Sequence, residues 1–375
     1  MTERELREIK RRFRPDKCSI MRIVGCFVNS NKQIVAKISQ SLGLTDSVVS
    51  EMLLGVMKKT LSGGLGTRLN EIQFSTKDVL DKEEHKLLMS LRKGDDSNTE
   101  TLDAFYKSVI ESVNIEGNYV ILLANDVYDV PSYHSDGEGS DSNSVFSYVV
   151  CAVCPLKDSA GALSFRESDA LFHSASTGSI LCAPELGFMF PCFDDRQTNI
   201  YSALYYTKST SDSYPAFTEK VFGKNAPMPQ KTQKTSFDHA LAESLGDECS
   251  LDVVRSVHEQ VAQMIETHKE SRDPEPLLIT KATASDVLAS CGVSDESLEK
   301  FGTTFDETFG KGAQITPKNI VSQNKFEMKT PEVSIKIDPE HRDLVSTRTV
   351  NGEKYIMIRV SGPVSVNGID ICIDE

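Results

Sequence analysis

The sequence predicts an α+β protein of mixed α/β character: an N-terminal α/β sheet domain, a helical middle region and a small C-terminal antiparallel β meander. Three observations carry the prediction. The short, nearly continuous apolar run at 119–124 has the character of a central strand covered on both faces. Beyond residue 250, apolar residues recur at spacings of three and four, the period of a helix face. From about 325 onward the period drops to two, with Val333, Ile335 and Ile337, then Ile356, Ile358 and Val360, which is the alternation of strands.

In chain order, residues 3–13 combine strong helix formers with Leu6, Ile9 and Phe13 at helical spacing, and Pro15 ends that helix because the residue before a proline avoids the α region. A strand follows at 19–28, where Ile20, Arg22 and Val24 alternate. Helical patterns occupy 45–60 and 83–113. A central strand is expected at 118–125. The Pro, Ser, Gly and Asp of 128–143 read as a flexible hairpin connection to a second strand at 145–153. Two more strands are expected at 188–193 and 201–207.

The first domain is therefore placed at 1–208, and the Ser, Thr, Pro and Lys of 209–235 form a linker around one short helical piece. A helical region spans 236–320. In it Ser250 is an N-cap for the stripe Leu251, Val254, Val257, Val261, Met264 and Ile265, and a helical pair at 283–310 packs Val287, Leu288, Leu298, Phe301, Phe305 and Phe309. The β module spans 325–375, where Asn351-Gly352 and Asn367-Gly368 are signals for type I′ hairpin turns, which need positive φ at both central residues.

Composition narrows the function classes. The 375 residues exceed what one ordinary core holds, and 39% hydrophobic with 26% charged residues is ordinary globular usage. No apolar stretch approaches the roughly 20 residues that span a bilayer, so no membrane partner is expected. The N-terminus lacks the apolar core of a signal peptide, which makes the cytoplasm the expected location. Nine scattered cysteines read as reduced thiols rather than as a disulfide framework. The net charge of −14 opposes nonspecific attraction to nucleic acid or anionic lipid. Residues 1–37 break that balance, carrying ten Lys or Arg against four acids, so the rest of the chain holds −20.

Several motifs raise specific chemistry. Cys151 and Cys154 have the spacing of a zinc or redox pair, yet they sit in a strand, where residues three apart point to opposite faces; buried apolar thiols are expected. Asp194, Asp195 and Arg196 follow an apolar run, at a strand end where catalytic groups often lie. They are candidates for a metal, phosphate or acid/base site, against the alternative of a turn with a local arginine pair. The stretch 58–68 has the glycines and cations of a phosphate loop without the Gly-Lys-Ser/Thr ending. A helix C-cap followed by a mobile loop is the reading preferred there, and Lys59 and Arg68 would meet an anion if one bound. Asp126, Asp129, Asp136, Glu138 and Asp141 cluster without calcium-loop spacing and are read as a solvated acidic loop. Arg11, Arg12 and Arg14 are candidates for contact with nucleic-acid phosphates. His258-Glu259 lacks the second histidine of a zinc-protease helix, and no Gly-x-Ser-x-Gly elbow occurs. No metal and no cofactor is predicted.

The segments 9–13 with Cys18, 22–26, 59–63, 118–131, 151–155, 187–196 and 329–333 running into 343–345 resemble a family of Clostridia-type bacterial proteins known as domain of unknown function 4317. The resemblance covers essentially the whole chain. It implies a bacterial origin, in a Gram-positive anaerobe, and it implies no activity, cofactor or catalytic residue.

Three functions follow from this reading. The leading one is a non-enzymatic binding or regulatory protein with a protein partner. The second is association with RNA, the ribosome or the nucleoid through residues 1–37, and the third is a hydrolase or phosphate-handling enzyme built on Asp194, Asp195 and Arg196.

Overall fold

The computed structural model describes residues 1–94, 98–133, 139–158, 163–166, 168, 171–174, 178–271, 273, 275–321, 326–360, 362–366 and 369–371. The protein is α+β. Its chain divides into two compact units, residues 1–229 with 274–276, and residues 230–273 with 277–375.

The first unit runs α1 (Glu3–Lys10), β1 (Arg22–Val28), β2 (Ile34–Ser41), α2 (Ser47–Lys59), β3 (Leu69–Gln73), α3 (Thr76–Asp81), α4 (Glu83–Arg92), α5 (Thr99–Ser112), β4 (Tyr119–Tyr133), β5 (Gly139–Asp158), β6 (Leu163–Arg166), β7 (Leu171–Ser174), β8 (Ser179–Leu181), β9 (Leu186–Phe190), β10 (Cys192–Asp194), β11 (Gln197–Asn199), β12 (Ser202–Thr207) and α6 (Pro215–Phe222). An antiparallel sheet in the order β2-β1-β4-β5-β9-β12-β3, with β8 on β5, organises it. The apolar runs become its central strands because both faces are covered. Tyr119, Ile121 and Leu123 pack with Phe105, Val109, Phe217 and Phe222 on one side. Val120, Leu122 and Ala124 pack with Leu6, Ile9, Leu54 and Met57 on the other.

Three features differ from the sequence reading. The 83–113 pattern divides into α4 and α5. The central hairpin extends beyond 125, pairing Tyr128 with Phe146 and Asp129 with Val145, since Val130 and Phe146 are buried against the α1 side and reward continued pairing. Of the acids grouped there, Asp136 and Glu138 lie outside the described residues. Within 209–235, α6 buries Phe217, Val221 and Phe222 in the first core, so the first unit reaches residue 229.

Glycine is required where strands pass closest. A Cβ on Gly187 would stand 2.3 Å from the Cys151 carbonyl oxygen and 2.8 Å from Thr60 Cγ2. Gly187→Ala is expected to cost about 1–3 kcal/mol, seen as a lower urea midpoint at unchanged slope; a wild-type midpoint would mean that β9 shifts freely.

The second unit holds α7 (Gln230–Leu245), α8 (Leu251–Ser271), β13 (Ile279–Thr280), α9 (Lys281–Ser290), α10 (Asp295–Phe309), β14 (Gln314–Ile315) and α11 (Pro317–Ile320). Ser250 Oγ caps α8 by accepting from the Val253 amide at 3.3 Å. The helices enclose Phe237, Leu241, Val257, Val261, Ile265, Leu288, Phe301 and Phe305. Beyond them come β15 (Phe326–Lys329), β16 (Ser334–Ile337), β17 (Val345–Val350), β18 (Glu353–Ile358), β19 (Val364–Val366) and β20 (Ile369–Ile371), paired as three antiparallel hairpins. Asn351 and Gly352 turn between β17 and β18 with φ of 52° and 87°, the left-handed pair a type I′ turn demands. Asn367 and Gly368 lie outside the described residues.

His258 in α8 is held down at about 4 by burial first, then by Lys234 and Arg342. Its folded value lies below the ordinary 6.5, so the unfolded chain binds the extra proton and stability falls as pH drops from about 6.5 towards 4. Urea midpoints at neutral and mildly acidic pH should diverge in wild type and converge in His258→Gln. An undiminished divergence in that variant would remove His258 as a cause.

Candidate functional site

The most unusual surface of the first unit starts at α1. Thr2 and Glu5 form a capping box: Thr2 Oγ1 accepts from the Glu5 amide at 3.3 Å, and Glu5 Oε2 accepts from the Thr2 amide at 2.7 Å. The helix lays Leu6 and Ile9 on the sheet. On the opposite face Arg4, Arg7 and Arg11, at spacings of three and four, are exposed. Arg14 and Lys17 continue the exposed cations on the following turn, which closes through the Lys17 and Cys18 amides on the Arg14 carbonyl at 3.0 Å each. Arg4, Arg11, Arg14 and Lys17 have no carboxylate partner among the described residues.

More cations adjoin this face. Lys10 is held below the ordinary lysine value by burial, and its neighbour Lys58 at the end of α2 adds to that effect against the opposing pull of Glu3. Lys59 and Arg68 are exposed at the two ends of the glycine loop. The loop is tied to α1, since the Leu65 amide donates to Glu3 Oε1 at 3.1 Å. It does not wrap an anion in the manner of a P-loop, because its Gly66 and Thr67 amides already donate to the Leu69 and Gly64 carbonyls. Lys58 and Lys59 also face the negative end of the α2 dipole. Of the sequence candidates, Arg11, Arg14, Lys59 and Arg68 thus point to solvent.

Arg12 turns inward. Its guanidinium donates to both carboxylate oxygens of Asp126 at 3.0 and 3.1 Å and to the Val127 carbonyl at 3.1 Å, and its charge lies 4.6 Å from the Tyr128 ring centre. Asp126 is 1% exposed and also accepts from the Ser19 amide and hydroxyl and from the Tyr148 hydroxyl, at 2.7–2.8 Å. The Tyr148 phenol is pushed well up, first by burial and then by Asp126. Arg12 therefore fastens the N-terminal segment to the central hairpin.

Asp195 and Arg196, with φ of 48° and 58°, form the tight turn between β10 and β11. Arg196 donates to Glu8 at 2.7 Å and to the Pro131 carbonyl at 2.8 Å, while its amide donates to Glu5 Oε1 at 3.2 Å. Tyr128 donates to the other oxygen of Glu8 at 2.6 Å, so Arg12 and Arg196 meet in one network through Tyr128 and Glu8. Glu5, Asp194 and Asp195 bring three carboxylate oxygens within 4.8 Å of one another, the set that could converge on a cation. Both Glu5 oxygens already accept from Thr2 and Arg196, and Asp194 lies 3.2 Å from the Met1 amine. These contacts describe a braced turn.

Cys151 and Cys154 are fully buried in separate cores on opposite faces of the sheet. Burial raises both thiols, Cys154 to about 12, and their placement rules out joint chelation or a disulfide between them.

A family described as domain of unknown function (DUF4317) matches residues 1–369. The chain belongs to this family. No curated protein and no solved structure matches it. The DUF4317 match spans both units. In this DUF4317 chain the sequence candidates missed Arg4, Arg7, Lys10 and Lys58. The 4-7-11 spacing was the signal that could have found the first two, whereas the approach of Lys58 to Lys10 is tertiary.

Proposed function

We propose that the protein is a non-enzymatic binding protein of the bacterial cytoplasm that holds the phosphate backbone of a nucleic acid on the exposed face of α1. The observation that carries this reading is the stripe Arg4, Arg7 and Arg11, continued by Arg14, on a chain otherwise strongly negative. Arginine forks suit phosphate, and α1 spans about 10 Å from Arg4 to Arg11 at roughly 1.5 Å per residue, enough for more than one phosphate. The negative remainder confines a polyanion to this face. A membrane fits less well, because the apolar side of α1 is buried in the core and is not free for insertion. The hydrolase reading loses support because Arg196 is occupied by Glu8 and Pro131.

The test is fluorescence anisotropy with labelled single-stranded RNA and duplex DNA oligonucleotides across a salt series. Binding that weakens steeply with salt is expected. No binding to either oligonucleotide at low salt would overturn the proposal. Among the described residues no helix is long and apolar enough to cross a membrane.

A further inference from the structure

We propose that the second unit carries a site for a small oxyanion, a phosphate or carboxylate group, centred on the guanidinium of Arg342 with Lys234 and His258 at its rim. Arg342 is 6% exposed. Its Nε is buried without any hydrogen-bond partner, and no carboxylate pairs with its guanidinium among the described residues. A desolvated guanidinium lacking a counter-ion is costly, because burial removes water without returning an opposite charge. The Phe326 ring packs beside it, with its centre 5.8 Å from the guanidinium carbon.

The surroundings are cationic rather than compensating. His258 packs edge-on against the same Phe326 ring at 6.2 Å. Both Lys234 and Arg342 lower its proton affinity, which places each of them within electrostatic reach of His258. Lys234 Nζ donates to the Ile320 carbonyl at 3.2 Å and stands 3.4 Å from Asp238. That carboxylate is 48% exposed and largely screened by water. Lys234 and His258 are only partly buried, so solvent reaches these two side chains. The planar guanidinium fork takes two oxygens of one phosphate or carboxylate, Lys234 adds a point charge, and neutral His258 can donate one N–H.

The site lies in a different unit from the α1 face, so the two proposals stand or fall separately. The experiment is calorimetric titration and thermal unfolding of the full chain with inorganic phosphate and, separately, succinate. Ionic strength is held constant with chloride. Wild type should bind at least one of the two and unfold at higher temperature in its presence; which one it binds assigns the natural ligand as phosphate-bearing or carboxylate-bearing. Arg342→Met should lose at least about tenfold in affinity, as expected for a charged hydrogen-bonded contact, while being no less stable than wild type without the anion and binding oligonucleotides as wild type does. Lys234→Ala, at a partly exposed position, should weaken binding by a smaller factor and serves if Arg342→Met does not fold. Absence of any response to both anions beyond the chloride control, or undiminished binding by Lys234→Ala and Arg342→Met, would overturn the site.

Discussion

Asp126→Ala is expected to cost the first unit about 3–5 kcal/mol, the typical consequence of removing one partner from a buried ion pair. Four donors converge on this carboxylate: the Arg12 guanidinium, the Ser19 amide, the Ser19 hydroxyl and the Tyr148 hydroxyl. Without it Arg12 retains a half-covered charge and Tyr148 a buried hydroxyl with no acceptor. The loss should appear in urea unfolding followed by far-ultraviolet circular dichroism. Replacing both charges, as in Arg12→Met with Asp126→Leu, should recover part of the stability, since no orphaned ion remains although the Tyr148 hydroxyl still lacks its acceptor. A single-variant loss below about 1 kcal/mol would put the pair in the class of solvent-screened bridges.

Replacing Arg4, Arg7, Arg11 and Arg14 together by Ala should reduce the slope of log affinity against log salt by about 3, at roughly 0.7–0.9 for each phosphate that is no longer neutralised. Affinity at low salt should fall by orders of magnitude while the urea midpoint stays near wild type, because these side chains are exposed and outside both cores. Arg12→Ala makes the opposite prediction, a lower midpoint with an unchanged slope. A quadruple variant that binds with the wild-type slope would move the nucleic-acid contact elsewhere or remove it.

The contrast between Arg11, Arg12 and Arg14 shows where sequence reasoning reaches its end. All three sit in one basic run, and composition treats them alike. What separates Arg12 is Asp126, 114 positions away, brought near by β4 lying beside β1. Local patterns were more legible. The run 119–124 declared a strand covered on both faces, the alternation around Cys151 and Cys154 put the two thiols on opposite sides, and Asn351-Gly352 announced its own turn. By contrast, the helical piece inside the linker-like stretch 209–235 gave no sign of belonging to the first core, because what places α6 there is the packing of Phe217 against Tyr205 and Phe188. Arg342 left no trace in the sequence, for its distinction is a buried Nε without a hydrogen-bond partner among the described residues, which only the folded structure reveals.

The two thiols of β5 make the sheet its own clock. Each is sealed under a separate helical layer, so an alkylating reagent reaches Cys151 only when the α5 and α6 side lifts, and Cys154 only when the α1 and α2 side does. Peptide-resolved labelling in dilute denaturant would time the two layers independently within one molecule. Equal rates would mean that the first unit opens as a whole. A faster Cys154 would mean that the arginine-bearing helix departs first, which an oligonucleotide bound to it should then slow.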